Sequence, residues 1–484
     1  MARKIGKILI ANRGEIALRI IRACKELEIF SVVVYSEADK EGAWVKKADK
    51  AVMLKGHPVE VYLDYEHIIS VAKEQKCHAI HPGYGFLSES ADFARACEKR
   101  GLIFIGPKAE HIELFGDKIA SKNAMREIGV PVIEGTTEPI ASLKEAEEIA
   151  KEIGFPVMIK AAYGGGGRGM RIVHDAKSFA PLFHSATQEA EKFFGNGDMF
   201  IEKYVANPRH IEVQVMADKY GNVVHLGERD CSIQRRHQKV IEISPSPHLL
   251  PEVRKEIYRI AQKAVYRLGY ESVGTMEFLV DEQNHIYFIE MNTRVQVEHP
   301  VTEITSGVDI IQRMIQLAEG DKLHFLQEEI QFRGYAIEFR INAEDPQKNF
   351  IPSFGTIEEY LTPGGPGVRL DSAIYSGYTI PPHYDSMIAK LIVWALDWEG
   401  VVKKAKRALD EYDIGGVTTN ISLHKEIVRD EDFQKGLFDT SFLDARVEHF
   451  ALINTIAPNE EKSTTSFMSR LLQKGLVSLK GDFV

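Results

Sequence analysis

The sequence predicts an α/β chain of several domains, opening on a doubly wound parallel sheet and passing into mixed or antiparallel sheet. Three observations carry this. Up to about residue 105, apolar strand-like runs alternate with amphipathic helix-like runs, the pattern of a parallel sheet with crossover helices. From about residue 211 the chain becomes strand-rich with alternating side chains, which suits mixed or antiparallel sheet. At 484 residues, one core cannot hold the chain, and about two to four domains are expected.

The elements follow in order. Residues 7–12 (Lys-Ile-Leu-Ile-Ala-Asn) read as a buried strand and Glu15 to Glu26 as a helix, with Ile16, Leu18, Ile20 and Ile21 among its apolar residues. Ser31-Val-Val-Val-Tyr35 reads as the next strand. A helix near 65–75, a strand near 78–81, a helix near 89–99 and a strand near 102–105 continue the alternation. The turn after the first strand is Asn12-Arg13-Gly14. It lacks the Gly-x-Gly-x-x-Gly fingerprint, so no nicotinamide cofactor is expected. A helix at 142–152, a strand at 157–160, a glycine run and a closing segment at 199–205 read as a separate small unit. Beyond it, 212–216, 223–226 and 336–341 read as strands. The last stretch, from about 447, is polar around residues 458–465. A short amphipathic run (Phe467, Met468, Leu471, Leu472) then follows, read as a loosely held terminus rather than a docking helix.

Composition excludes several classes. The net charge of -10 argues against nucleic acid as a main partner. Cys24, Cys77, Cys97 and Cys231 are scattered without a Cys-x-x-Cys pair, which fits a reducing compartment and gives no zinc or disulfide framework. No apolar run is long enough to span a bilayer. The apolar part of the first residues is too short for a secretory signal. A cytoplasmic enzyme without membrane contact is expected.

The most informative segment is Tyr287-Phe-Ile-Glu-Met-Asn-Thr-Arg-Val-Gln-Val-Glu-His-Pro300. If it stays extended, Glu290, Asn292, Arg294, Gln296 and Glu298 share one face. Two carboxylates and an amide oxygen suit Mg²⁺ held together with nucleotide phosphates, and a guanidinium beside them suits a small oxyanion. Glu277 lies between apolar residues in Thr275-Met-Glu-Phe-Leu279; such a carboxylate needs a metal or a cation partner, and a buried salt bridge with an arginine is the alternative. With Glu290 and Asn292 it makes a candidate metal set.

Tyr163-Gly-Gly-Gly-Gly-Arg-Gly169 follows a strand ending in Lys160. Glycines let backbone N–H groups approach phosphate. No Gly-Lys-Ser/Thr follows, so this is a mobile flap rather than a Walker loop. Glu202-Lys-Tyr-Val205 could offer a purine edge its backbone and the Glu202 carboxylate, or be a cap or surface segment. Glu228 to Lys239 is dense in cations and amides. Its acids favour a phosphate-lined pocket over nucleic acid, with His237 and Lys239 facing the site.

Together these pieces resemble the ATP-grasp ligases, and within them biotin carboxylase, over about residues 5 to 446. The marks are Ala11-Asn-Arg-Gly-Glu-Ile-Ala17, His81-Pro-Gly-Tyr-Gly-Phe-Leu-Ser-Glu89, the glycine flap, Glu228 to Lys239, Glu290 to Glu303 and Arg340-Ile-Asn-Ala-Glu-Asp345. The resemblance implies an ATP-grasp fold with an N-terminal Rossmann-like domain (1–117), a central ATP-grasp domain (118–330, lid about 132–205), a mixed α+β C-terminal domain (331–446) and a tail (447–484). It implies nucleotide contacts from Lys118, Lys160, Glu202, Lys203, His210, Gln234, His237, Glu277 and Glu290. Gly165, Gly166 and Gly167 would cover the phosphates, and the Val205 backbone would meet the adenine. Mg²⁺ or Mn²⁺ would sit on Glu277, Glu290 and Asn292. Bicarbonate would lie against Lys239, Arg294, Gln296 and the Val297 backbone, with Glu298 as base, Arg340 facing the biotin ureido oxygen and Tyr84 walling the biotin pocket.

The implied reaction is ATP- and bicarbonate-dependent carboxylation of biotin N1 through carboxyphosphate. The chain has no Ala-Met-Lys-Met biotinyl motif; the nearest string, Ser386-Met-Ile-Ala-Lys390, reads as a strand within the body. Biotin would therefore arrive on a carrier protein or a biotinylated carboxyltransferase subunit, and this chain would be a homodimeric subunit. Phe438-Asp-Thr-Ser-Phe442 and the tail lean toward a pyruvate or 2-oxoacid carboxylase, with acetyl-CoA carboxylase as the other choice. The competing readings are another carboxyphosphate-forming ATP-grasp ligase and a non-catalytic nucleotide-binding subunit.

Overall fold

The computed structural model describes residues 4–140, 142–162, 169–447 and 449–450. The flap glycines Gly165, Gly166 and Gly167 and the run from Phe467 to Leu472 lie outside the described residues.

The first lobe is a parallel sheet of β1 (Lys7–Ile10), β2 (Phe30–Ser36), β3 (Lys50–Leu54), β4 (Ala79–His81) and β5 (Ile103–Phe104), in the order β3-β2-β1-β4-β5. The helix Gly14–Glu26 turns Ile16, Ala17, Ile20 and Ile21 inward against the sheet. Gly14 opens it at φ +69°, a left-handed turn that a side chain would strain. The expected helices and strands all form here, within two residues or so at their ends. β3 was not expected. It is an edge strand whose residues are mostly half-exposed, so its apolar pattern is weak.

The small unit is a three-stranded sheet, β7-β6-β8, made of β6 (Val157–Ala161), β7 (Arg171–Val173) and β8 (Met199–Lys203). The helices Leu143–Ile153 and Ala176–Phe194 cover it. Ser142 accepts a hydrogen bond from the Glu145 N–H and starts the first of these, as expected of a capping serine. Ala146, Ala150, Ile159 and Phe179 form its core.

The body is one antiparallel sheet of eight strands. It contains β9 (Arg209–Ala217), β10 (Val223–Arg235), β11 (Gln238–Ser244), β12 (Ser272–Val280), β13 (Ile286–Asn292) and β14 (Tyr335–Asn342). Beyond the short pairs β15 (Glu344–Asp345) with β16 (Ile351–Pro352) and β17 (Tyr360–Leu361) with β20 (Asp413–Ile414), it is completed by β18 (Val368–Ser372) and β19 (Met387–Ala395). The order is β13-β12-β9-β10-β11-β14-β19-β18. The expected division near residue 330 therefore falls within a continuous sheet, joined where β11 pairs with β14 and Glu242 faces Glu338. Inward and outward residues alternate in β9 and β14. Ile211, Val213 and Val215 enter one core, and Ile337, Phe339 and Ile341 another. The intervening residues are charged or amide-bearing, and they build the site.

Candidate active site

A cavity of about 770 Å³ opens between the small unit and the body. Its walls include Tyr84, Lys118, Lys160, Lys203, Val205 and His210. Gln234, His237, Lys239, Glu277, Glu290 and Asn292 continue the lining, and Arg294, Gln296, Val297, Glu298 and Arg340 complete it. Among the described candidates only Glu202 stands behind the wall. It is buried on β8 and holds the ammonium groups of Lys160, at 2.6 Å, and Lys122. Burial, then the neighbouring Lys118, pulls Lys160 down to about 8; burial, then Lys160 and Lys118, lowers Lys122 further. Two lysines that share one buried carboxylate leave room for the charge of a polyanion. Lys203 lines the cavity but donates its Nζ to the Gly154 carbonyl at 2.7 Å.

The expectation of an extended stretch from Glu290 to Glu298 is corrected. The strand ends at Asn292, residues 293–298 form no regular element, and Glu298 is the residue before the helix His299–Ser306. Within β13 the parity differs as well. Phe288 is buried in the core, and strict alternation would send Glu290 and Asn292 in after it. A bulge lies between the Glu277–Glu290 and Phe278–Phe288 pairs. The extra residue moves Met291 into the core and turns Glu290 and Asn292 to the cavity, the re-aiming that bulges provide beside active sites. Arg294, Gln296 and Glu298 reach the same cavity through the turn.

Glu298 sits between two cations. Its Oε1 accepts from Lys239 Nζ at 2.8 Å and its Oε2 from Arg340 Nη2 at 3.0 Å. Burial raises its pKa, but Lys239 and Arg340 more than offset that, and it lies below the ordinary value. Lys239 also bridges Glu212 and Glu277, the latter at 3.0 Å. Burial lowers it while Glu212, Glu277 and Glu298 raise it well above an ordinary lysine. Arg340 is bonded through Nε to Glu242. Arg294 donates to Glu89 and to the Asn292 Oδ1, each at 2.8 Å.

Glu277 and Glu290 face each other across the β12–β13 pair. Glu277 accepts from Asn292 Nδ2 and Gln296 Nε2, each at 2.7 Å, and pairs with His210 at 2.8 Å. Lys118 stands 3.8 Å from Glu290. Two facing carboxylates, with the Asn292 amide oxygen two residues beyond Glu290 on the same strand, are hard oxygen donors that fit a divalent cation. Gln234 donates to His210 Nδ1 at 2.8 Å.

Several site residues escaped the sequence reading. Arg229 is wholly buried and uses all five donors, on Glu212, Gln214, Thr302, Thr275 and Gln296. Glu212, Glu242, Glu338 and Lys390 are also buried. Glu212, Glu242, Glu338 and Lys390 alternate with apolar residues in strands, the same signal that marked Glu277, whereas Arg229 lies between Glu228 and Asp230. Lys122 carried no comparable signal.

Known proteins resemble this chain over most of its length. Family models match residues 4–112 (biotin carboxylase, N-terminal domain), 117–326 (carbamoyl-phosphate synthase L chain, ATP binding domain) and 338–445 (biotin carboxylase C-terminal domain). The 2-oxoglutarate carboxylase small subunit of Hydrogenobacter thermophilus is 51% identical over 466 residues, 96% of this chain and 98% of the relative. A pyruvate carboxylase subunit of Methanothermobacter thermautotrophicus is 52% identical over 439 residues, 90% and 89% of the two chains. The crystal structure of the Hydrogenobacter biotin carboxylase domain dimer, with MgADP, ADP and bicarbonate, superposes at a TM-score of 0.90. It is 53% identical, over 92% of this chain and 98% of that one. The Campylobacter jejuni biotin carboxylase–β,γ-ATP complex gives 0.89 at 49% identity, over 91% and 99%. With these family models and relatives spanning the chain, it belongs to the biotin carboxylase family of ATP-grasp ligases.

Proposed function

We propose that this chain carboxylates biotin N1 with ATP and bicarbonate, through carboxyphosphate, on biotin carried by a separate polypeptide. The observation that carries the mechanism is Glu298, a buried carboxylate kept ionised between Lys239 and Arg340. Bicarbonate is a weak nucleophile. Lys239, Arg294, Gln296 and the Val297 backbone hold it while Glu298 takes its proton. The oxygen attacks the ATP γ-phosphorus and ADP leaves. Lys118 and Lys160 offset the phosphate charge, with Glu202, Lys203, His210, Gln234 and His237 completing the nucleotide site and Val205 meeting the adenine. A divalent cation, Mg²⁺ or Mn²⁺, held by Glu277, Glu290 and Asn292 supplies further neutralisation of the phosphate oxygens. Carboxyphosphate separates into CO₂ and phosphate, and the phosphate removes the biotin N1 proton. Arg340 stabilises the ureido oxygen anion, and N1 attacks CO₂ beside Tyr84. Gly165, Gly166 and Gly167 would close over the phosphates and exclude water.

The supports for the remaining parts are specific. The family models support domains at 1–117, 118–330 with a lid at about 132–205, and 331–446, and the three-stranded sheet of the small unit lies within that lid. Lys390, in the string nearest a biotinyl motif, is buried in β19, which supports a separate carrier protein or biotinylated carboxyltransferase subunit. The dimeric Hydrogenobacter structure supports a homodimer. The 2-oxoglutarate and pyruvate carboxylase relatives support a 2-oxoacid as final acceptor over acetyl-CoA. Four unbridged, buried cysteines support a reducing, cytoplasmic setting, and no helix among the described residues is long and apolar enough to cross a membrane.

ADP release by the purified chain, with and without bicarbonate and free biotin, tests the reading. A rise requiring both is expected. Release that needs bicarbonate but ignores biotin, free or carrier-bound, would point to a different carboxyphosphate-forming ligase. No release at all would point to a protein that binds nucleotide without turning it over.

A further inference from the structure

We propose that Lys390 is a positioning residue for the base, fixing the Val297–Glu298 peptide and so the place of the Glu298 carboxylate. This rests on the reading of Glu298 given above. Lys390 lies in the middle of β19 with 0% exposure. Its Nζ donates to the Val297 carbonyl at 2.7 Å and pairs with Glu15 Oε1 at 3.1 Å. Glu15 in turn accepts from the Tyr84 hydroxyl.

Three facts make this more than a buried ion pair. First, residues 293–298 belong to no strand or helix, so no ladder holds their peptide planes and side chains must do so. Second, the carbonyl that Lys390 grips belongs to the peptide whose nitrogen is Glu298's own. A tilt of that plane moves the Glu298 Cα and its carboxylate away from Lys239 and Arg340. Third, Lys390 sits opposite Arg340 on the neighbouring strand, so one sheet register sets both the group facing the base and the group beneath it. Burial lowers the lysine, but Glu15, Glu338 and Asp371 more than offset this, and it remains a cation. A charged donor to a carbonyl is stronger and shorter than a neutral one, which suits a clamp. Glu15 thereby ties two walls together, Tyr84 on one side and the Val297–Glu298 peptide on the other.

The test uses the whole chain carrying Lys390→Met. A second variant, Lys390→Met with Glu15→Gln, avoids leaving a buried carboxylate without its cation. Both should melt cooperatively and bind MgADP within about twofold of the parent. Both should lose about 10- to 100-fold in kcat/KM for bicarbonate, the cost of a misplaced reacting group. If Lys390 acts through Glu298, adding Lys390→Met to Glu298→Gln should cost less than about twofold more. Folded variants that use bicarbonate normally would overturn the assignment. So would a full multiplicative loss in the Glu298→Gln background, or variants that do not fold, which would make Lys390 a structural ion. A parent chain without bicarbonate-dependent ADP release would instead remove the base assignment itself, and an active parent with indifferent variants would remove Lys390 alone.

Discussion

Replacing Glu298 by glutamine keeps the shape of the side chain and removes the proton acceptor. Two effects follow from the geometry. The first is catalytic. A positioned general base is worth about 10²- to 10⁴-fold, so kcat for bicarbonate- and biotin-dependent ADP release should fall by that factor, about 3–5 kcal/mol of barrier. The second is structural and smaller. Glu298 accepts charge-assisted bonds from Lys239 at 2.8 Å and Arg340 at 3.0 Å. The amide can still accept one, while its NH₂ faces the other cation. Lys239 keeps Glu212 and Glu277, and Arg340 keeps Glu242, so neither cation is stranded. The loss is then near that of one hydrogen bond to a charged group, about 1.5–3 kcal/mol. Nucleotide affinity should hold, because Lys118 and Lys160 pair with Glu290 and Glu202 rather than with Glu298. Steady-state ADP release at saturating bicarbonate, beside a calorimetric MgADP titration, separates the effects. A variant that binds MgADP normally and turns over within about threefold of the parent would refute the base assignment.

Arg340→Ala should cut biotin carboxylation by about 10²-fold or more while leaving MgADP affinity within about threefold; weak nucleotide binding with normal carboxylation at saturation would misplace it. Arg229→Met should destabilise the fold by about 3–5 kcal/mol, since five acceptors lose their donor; a loss under about 1 kcal/mol in urea unfolding would mean water replaces it. Lys160 is held down to about 8 by burial and then Lys118, so it is a cation below that pH and neutral above it. Nucleotide affinity should therefore weaken as pH rises through about 8, and above that pH MgADP binding should take up a proton. Calorimetry in buffers of different ionisation enthalpy would detect the uptake, and pH-independent affinity from 7 to 9, on the order of that window, would contradict the shift.

Much of this site was legible before folding. The Tyr287–Pro300 segment and Glu277 carry functional groups in apolar surroundings that short-range pattern alone exposes. The first lobe was legible for the same reason, since helix and strand periods are local properties of the chain. β3 was missed because an exposed edge strand has little pattern to read. Glu212, Glu242, Glu338 and Lys390 were missed although each alternates with apolar neighbours, and Arg229 was missed between the charged Glu228 and Asp230. Whether such a residue faces a site or a salt bridge depends on which strand pairs with which.

The amino-acid order by itself determined the alternation of elements, the family resemblance and most of the groups that enter the cavity, Lys122 being missed and Glu202 standing behind the wall. Tertiary structure alone decided how they meet. The bulge opposite Glu277 set the parity of Glu290 and Asn292. The β11–β14 pairing put Glu242 beside Glu338 and brought Arg340 to Glu298. Burial of Lys390 under Val297 turned a lysine in an apolar strand into a clamp. The physical reason is distance along the chain. Glu298 meets cations 59 and 42 residues away, and Lys390 meets a carbonyl 93 residues away. Local propensity carries no information about contacts of that span; sheet register and the desolvation of charge in a shared core decide them.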